Sequence, residues 1–281
     1  MRKTERIGVI GCLIGLVWMP IYGQKPEEIL DRMAKAYKQA RSIQIETINR
    51  TNVYIKSGQQ ERRGQGEYMM SFLVERPNKL RVEVFQNGKQ MPGVGRLFCN
   101  GRQLYIENPN LKQTLRRLAP DDLKQIYTLE NLRYAECTSA GFDPVMLMAL
   151  GDWRSLVESP RLIGRERIEG RYCYRIRAKV KNDYMLNPAF ERPIYEDVWI
   201  GAKDYLIWRV EISMRVKLKE GEQIMTVIGT VSKQIVNKPI PASHFEYRLP
   251  AGFRFSLSPE QRIPLGRGMV IASSFARSRS R

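Results

Sequence analysis

Histidine is nearly absent from this chain: His244 is the single one in 281 residues. Zinc centres and Ser-His-Asp or Cys-His nucleophilic sites draw on histidine. Any of them would depend on His244, which sits in PASHFEYRLP near the end of the strand pattern. No G-x-S-x-G, no H-E-x-x-H and no phosphate-cradling glycine loop occurs, and Gly64-Gln65-Gly66 is too short for a nucleotide fingerprint. Cysteine is also sparse, with 4 in the chain and no two at metal-ligand spacing. Acids are outnumbered, 29 Asp and Glu against 47 Lys and Arg. Glu67, Glu75, Glu83, Glu107, Glu196, Asp197 and Glu211 stand singly opposite apolar neighbours, as on solvated strand faces, rather than as an acid pair. These shortages point away from an enzyme and imply no cofactor and no metal.

Long apolar runs are missing as well, except at the start. Arg2, Lys3 and Arg6 precede an apolar stretch from Ile7 to about Tyr22, and Ile21 and Gly23 hold the −3 and −1 positions of a cleavage point. The stretch is shorter than the ~20 residues of a span and contains Pro20, so it reads as a secretory signal peptide rather than an anchor. Too few apolar residues precede Cys12 for a lipoprotein processing box. The mature chain then keeps Cys99, Cys137 and Cys173, which allow at most one disulfide, in any of three pairings. An oxidising compartment permits that bond without requiring it.

The formal charge is +18, and removing the signal leaves roughly +16. Such a chain is drawn to anionic surfaces by a field that salt screens. Behind a signal peptide the counter-charges are lipid headgroups, lipopolysaccharide or cell-wall polymers, and not nucleic acid.

The pattern along the chain is a helix followed by strands. Pro26-Glu27-Glu28 suits a helix start, and Leu30, Met33, Tyr37 and Ala40 recur at helical spacing. The period then changes to two, in Ile43 and Ile45, Val53 and Ile55, and Leu80, Val82 and Val84. Asn87-Gly88, Asn100-Gly101 and Glu169-Gly170 mark hairpins. Helical patterns return at Pro120 to about Leu129, at Asp143 to Leu150 and at Asp152 to Val157. Strands resume from Leu162 to Val236, and a last short one is expected at Phe245 to Leu249. No fixed-period repeat is visible. The expected fold class is α+β, mainly antiparallel β: a strongly curved half-barrel sheet of about ten strands covered by helical lids. The expected division is a signal peptide at 1–23, one domain at 24–255 and a basic, disordered tail at 256–281.

Four short motifs carry a resemblance. Gly64-Gln65-Gly66-Glu67 followed by Glu75-Arg76-Pro77-Asn78 forms a glycine-led strand and an Arg-Pro-Asn step. Cys99-Asn100-Gly101-Arg102-Gln103-Leu104-Tyr105 is close to a D-G-x-x-L-W hairpin, and Glu107-Asn108-Pro109 with Gln113 to a Y-N-P-x-x-x-Q segment. Phe245 to Gly252 is close to an F-x-F-x-P-P-x-G ending. In order and spacing these resemble the LolA-like periplasmic lipoprotein carriers, the outer-membrane lipoprotein-sorting proteins, over about Ile29 to Phe255.

The resemblance implies a lipid-binding half-barrel in which the arginine of the Arg-Pro step, here Arg76, hydrogen-bonds lid carbonyls while the cavity is empty. A guanidinium suits a latch because it offers five donors and stays charged when partly buried. Pro77 donates no backbone hydrogen bond and fits a strand break. The expected ligand-binding residues are Arg76 with Met69, Leu73, Leu80, Val82, Val84, Leu104, Ile106, Met146, Met148, Trp199 and Trp208. The same apolar side chains would equally fill a dry core, which sequence does not separate from a lining. The expected function is a periplasmic carrier or binder of lipoproteins or other acylated, lipidic ligands. The other reading is an envelope regulatory or structural module whose basic surface binds a protein partner, a membrane surface or an anionic polymer.

Overall fold

The structure is a computed structural model that describes residues 24–126, 131, 134–135, 157–181 and 190–256. Helix α1 (Pro26–Gln39) begins with a proline in its first turn and Glu27 and Glu28 beside the positive end of the helix dipole. Its apolar stripe of Ile29, Leu30, Met33 and Tyr37 is buried. Strands β1 (Ser42–Ser57), β2 (Gln60–Glu75), β3 (Lys79–Gln86), β4 (Lys89–Gln90), β5 (Leu97–Asn100), β6 (Gln103–Asn108) and β7 (Gln113–Leu118) follow. After the one-turn helix α2 (Leu123–Ile126) come β8 (Val157–Ile168), β9 (Arg171–Val180), β10 (Tyr195–Gly201), β11 (Ile207–Leu218), β12 (Gly221–Val236) and β13 (Arg254–Ser256).

The 13 strands among the described residues form one open sheet in the order β13-β7-β6-β5-β3-β2-β1-β12-β11-β10-β9-β8, with β4 attached to β3. Pairing is antiparallel except between β13 and β7. The excess over ten strands comes from short pieces: β4, β5 and β13 have 2, 4 and 3 residues.

Register explains which residues are inside. Ile45, Phe72, Val82, Leu97, Ile106 and Leu115 lie directly opposite one another from β1 to β7, and all are buried. On the other side of β1, Val210, Val198 and Ile176 continue a buried row across β11, β10 and β9. Because side chains alternate across a strand, these rows define one apolar face and leave the opposite face to charged residues. The stripe of α1 belongs to the same core as that apolar face. Tyr37 ties the helix to the far half of the sheet: its hydroxyl accepts the Ile207 N–H at 2.9 Å and the Gln234 amide at 2.7 Å. Since α1 also approaches β8 at the sheet's edge, the sheet wraps around the helix.

The turns follow sequence in two of three hairpins. Asn87-Gly88 and Glu169-Gly170 both have two positive φ values. At Asn100-Gly101 only the glycine does, and the Asn100 side-chain oxygen Oδ1 accepts the N–H groups of Arg102 and Gln103 instead.

The strand expected at Phe245 to Leu249 is a correction. A 3₁₀ turn occupies Ala242–Phe245, and irregular backbone leads on to β13. Pro241 and Pro250 flank this segment and cannot donate to a ladder, while Phe245 is buried as an anchor. Val157 opens β8 rather than closing a helix. The apolar run 145–150, the tail beyond Ser256 and the signal region fall outside the described residues.

The register makes adjacent residues of β2 unequal. Phe72→Ala removes a side chain from the covered face and is expected to cost about 3–5 kcal/mol. Leu73→Ala, on the other face, is expected to cost less than about 1.5 kcal/mol, as checked by urea unfolding of the two variants. Equal losses would contradict the pairing.

Candidate functional site

The Arg-Pro-Asn step between β2 and β3 holds both helical segments. A helix leaves its last carbonyls without intrahelical partners, and a cation there is favoured by the dipole. Arg76 meets both needs: Nε donates to the Ala40 carbonyl at 3.0 Å and a terminal nitrogen donates to the Tyr37 carbonyl at 3.2 Å. Its backbone N–H donates to the Arg41 carbonyl at 2.9 Å. Two residues on, the Asn78 amide donates to the carbonyl of Pro120 at 2.8 Å, just before α2. Pro77, exposed between them, carries no N–H to join a ladder.

The junction after α1 is gripped from the other side as well. The Arg41 N–H donates to the Asn237 carboxamide at 2.8 Å, the Asn237 N–H donates to the Ser42 carbonyl, and the Ser42 hydroxyl donates to the Lys238 carbonyl at 2.6 Å. Sequence reasoning found Arg76 but missed Asn78, Asn237 and Gln234. The asparagine of the step was visible as part of the motif. The other two lie 196 and 197 residues from their partners and leave no local signal.

Of the expected lining residues, Leu80, Val82, Val84, Leu104 and Ile106 share the covered face with α1's stripe. Met69 and Leu73 are half-buried and have the opposite parity to Met70, Phe72 and Val74, so they point to the other face. Met146 and Met148 lie outside the described residues.

Both tryptophans also sit on the charged face. Trp199 lies between the guanidiniums of Arg175 and Arg209, each 4.9 Å from its ring, and its indole N–H donates to Glu166 at 2.8 Å. Trp208 lies 3.8 Å beneath the guanidinium of Arg171. A bulge between Trp199 and Ile200 shifts the β10–β11 register there.

Several carboxylates read as solvated are in fact buried: Glu83, Glu107, Glu196 and Asp197. Arg96 grips Glu107 with two bonds of 2.7 and 2.6 Å and reaches Glu83 at 3.7 Å. Arg81 and Arg96 both lie over the Phe98 ring, repeating the arginine–aromatic–arginine stack at Trp199. The C-terminal segment covers this region, with Tyr247 stacked on Tyr105 at 4.4 Å and hydrogen-bonded to Thr114. Asp197 accepts from Arg175 and from Arg177 at two points. Burial by itself would push the Asp197 carboxyl up, but the Arg177 and Arg175 guanidiniums outweigh it and hold it below the usual carboxylate range. Cys99 and Cys173 are buried free thiols; burial, helped by the charge of Asp204, pushes Cys173 up to about 11. Among the described residues no helix is long and apolar enough to cross a membrane.

Residues 26–255 match the model of a family described as predicted periplasmic protein, DUF2092, and the chain belongs to that family. No curated protein matches it. Among solved structures, the chain is similar to a LolA superfamily protein from Nitrosomonas europaea, at 13% identity and a TM-score of 0.33, covering 80% of this chain and 99% of that one. It is also similar to lipoprotein LppX from Mycobacterium tuberculosis, at 15% identity and a TM-score of 0.32, covering 77% and 97%. LprF from Mycobacterium bovis gives 13% identity and a TM-score of 0.34, covering 82% and 97%.

The lowered carboxyl makes Asp197 a source of acid sensitivity. Its contribution is complete above the ordinary carboxylate value of ~4 and is lost as pH falls through the lower folded value. Asp197→Asn is expected to lower stability at neutral pH by about 2–3 kcal/mol and to flatten the acid limb of a plot of unfolding free energy against pH. An unchanged acid limb would show that the Arg175–Asp197–Arg177 cluster contributes nothing.

Proposed function

We propose that this member of the family is a periplasmic binder or carrier of an acylated, lipidic ligand, whose chains enter between α1 and the apolar face of the sheet. The observation that carries the reading is the pair of bonds from Arg76 to the Tyr37 and Ala40 carbonyls. They hold α1 down through two backbone acceptors at one end, beside the Tyr37 hydroxyl's bonds to Ile207 and Gln234, the Arg32 bond to Tyr205 and the apolar stripe. An arginine bonded to carbonyls at the end of the covering helix is the empty-state arrangement expected from the Arg-Pro-Asn resemblance. The family's description as periplasmic agrees with a carrier that works between membranes.

Magnitudes favour a reversible exchange. Two hydrogen bonds from a charged donor contribute about 1.5–3 kcal/mol each. An acyl chain burying roughly a dozen CH₂ groups contributes about 10 kcal/mol at ~0.8 kcal/mol per group. The chain therefore outweighs the latch, and it takes over the apolar surface that α1's stripe would leave. When the ligand departs, the latch and the stripe re-form together. Met70, at the centre of the covered face, adds a side chain that adapts to a flexible ligand.

Native mass spectrometry of the mature protein from a bacterial periplasm tests this, with Arg76→Leu beside the wild type. The expected spectra carry adducts of lipid or lipopeptide mass, and the occupancy is higher in the variant because the closed state has lost its latch. Ligand-free spectra of both proteins after gentle handling would overturn the reading.

A further inference from the structure

The arginines of the sheet fall into two groups. Arg175, Arg177 and Arg209 are neutralised by Glu166, Asp197 and Glu211. Around the β8–β9 hairpin the arrangement differs. Arg165 lies over Tyr174 at 4.7 Å, Arg167 over Tyr172 at 4.5 Å and Arg171 over Trp208 at 3.8 Å. All three arginines are exposed, and among the described residues none is paired with a carboxylate. The neighbouring acids are engaged elsewhere: Glu166 with Arg175 and Trp199, and Asp204 with the Leu206 N–H and Trp208. Glu169, exposed at the turn, offsets one unit of the local charge.

A guanidinium lying on a ring is held in place by that ring while its in-plane N–H groups remain directed outward. Arg165 spends one donor on the Tyr174 hydroxyl at 3.0 Å and Arg171 makes a long 3.4 Å bond to the Glu169 carbonyl. The remaining donors suit phosphate oxygens. Arg32 on α1 repeats the device over Tyr205, in the β10–β11 turn that the Ala202 N–H ties to the Tyr172 carbonyl.

Two exposed apolar side chains accompany the arginines, Tyr172 at 60% and Ile163 at 47% exposure. Arginine with tyrosine and an aliphatic side chain is the combination that settles at a headgroup boundary, where one part of each group is wet and the other is not. The free edge of β8 opposes a partner strand. It carries Pro160 and two register breaks, between Glu158 and Arg161 and between Leu162 and Gly164.

We propose that the β8–β9 hairpin end, through Arg165, Arg167 and Arg171 with Tyr172, docks the protein on the phosphate headgroups of an anionic bilayer. Arg165, Arg167 and Tyr172 share the parity of Tyr174 and Ile176 and so continue the covered face out to the hairpin, while Arg171 lies on the opposite face over Trp208. The docking end thus straddles the tip of the sheet, and vesicle binding reads it without using the carrier reading. Docking would place the protein against the surface from which a lipidic ligand is drawn or to which it is delivered.

Co-sedimentation of the full mature chain with phosphatidylglycerol–phosphatidylcholine vesicles, and with phosphatidylcholine vesicles alone, tests the proposal. Binding is expected only to the anionic vesicles. The R165Q/R167Q/R171Q variant should lose it by about a hundredfold and Arg167→Gln alone by about fivefold, since each basic group at an anionic surface contributes about that factor. A control variant of equal charge change, K56Q/R62Q/K219Q, removes exposed charges from the turns at the opposite end of the long strands and should bind almost as wild type. Equal losses in the two triple variants would reduce the effect to diffuse charge and overturn the site. So would wild-type binding that ignores phosphatidylglycerol, or displacement of the protein by inorganic phosphate at constant ionic strength, which would assign the arginines to a soluble anion.

Discussion

The end of α1 is the constraint on which the rest of the structure depends. A helix laid across the mouth of a curved sheet must end inside the protein, and its terminal carbonyls need donors there. Arg76 supplies them from the strand break after β2, and Asn237 with Ser42 fixes the following junction from β12. Those contacts set the position of the helix's C-terminal end, and in the same last turn the Tyr37 side chain reaches across to bond β11 and β12. With α1 so placed, the buried rows from Ile45 to Leu115 and from Val210 to Ile176 have a cover. Asn78 extends the same step to the segment entering α2, so two residues of one step, Arg76 and Asn78, hold α1 and the segment entering α2.

The opposite face of the sheet is organised by a different balance. Large aromatic rings that would be a liability in water are covered by guanidiniums rather than by a second layer of structure. Trp199 between Arg175 and Arg209, and Phe98 between Arg81 and Arg96, are the clearest cases. The carboxylates beneath them then bury at low cost because each is bonded to at least one arginine, as with Glu107 and Asp197. These arginines are thus structural. At the β8–β9 hairpin the acids run out and the charge of Arg165, Arg167 and Arg171 faces outward.

The legible part of this fold was its alternation. Leu80, Val82 and Val84 announce the covered face of β3 because Arg81 intervenes, and the stripe of α1 is equally plain. Near Met69 to Val74 the signal fails, because β2 is apolar on both sides over that stretch and periodicity cannot say which set faces inward. Trp199 and Trp208 were misplaced for another reason. A tryptophan in a strand reads as core, and the arginines that cover it come from neighbouring strands, while the bulge at Trp208 changes the parity locally. Arg76 was legible through its Arg-Pro-Asn motif, but its acceptors, 36 and 39 residues away, were not. The strand expected at Phe245 gave way to a 3₁₀ turn because Pro241 and Pro250 leave it no ladder to join.

The central claim is that Arg76 holds α1 against the sheet. Amide hydrogen exchange of the wild type and of Arg76→Leu tests it most directly, read separately for α1 and for β10 and β11. The account predicts that amides of α1 lose protection in the variant while those of β10 and β11 keep theirs, a local release of the helix from an intact sheet. Unchanged protection across α1 would contradict it, and would mean that the apolar stripe with the Tyr37 and Arg32 side-chain bonds seats the helix without Arg76.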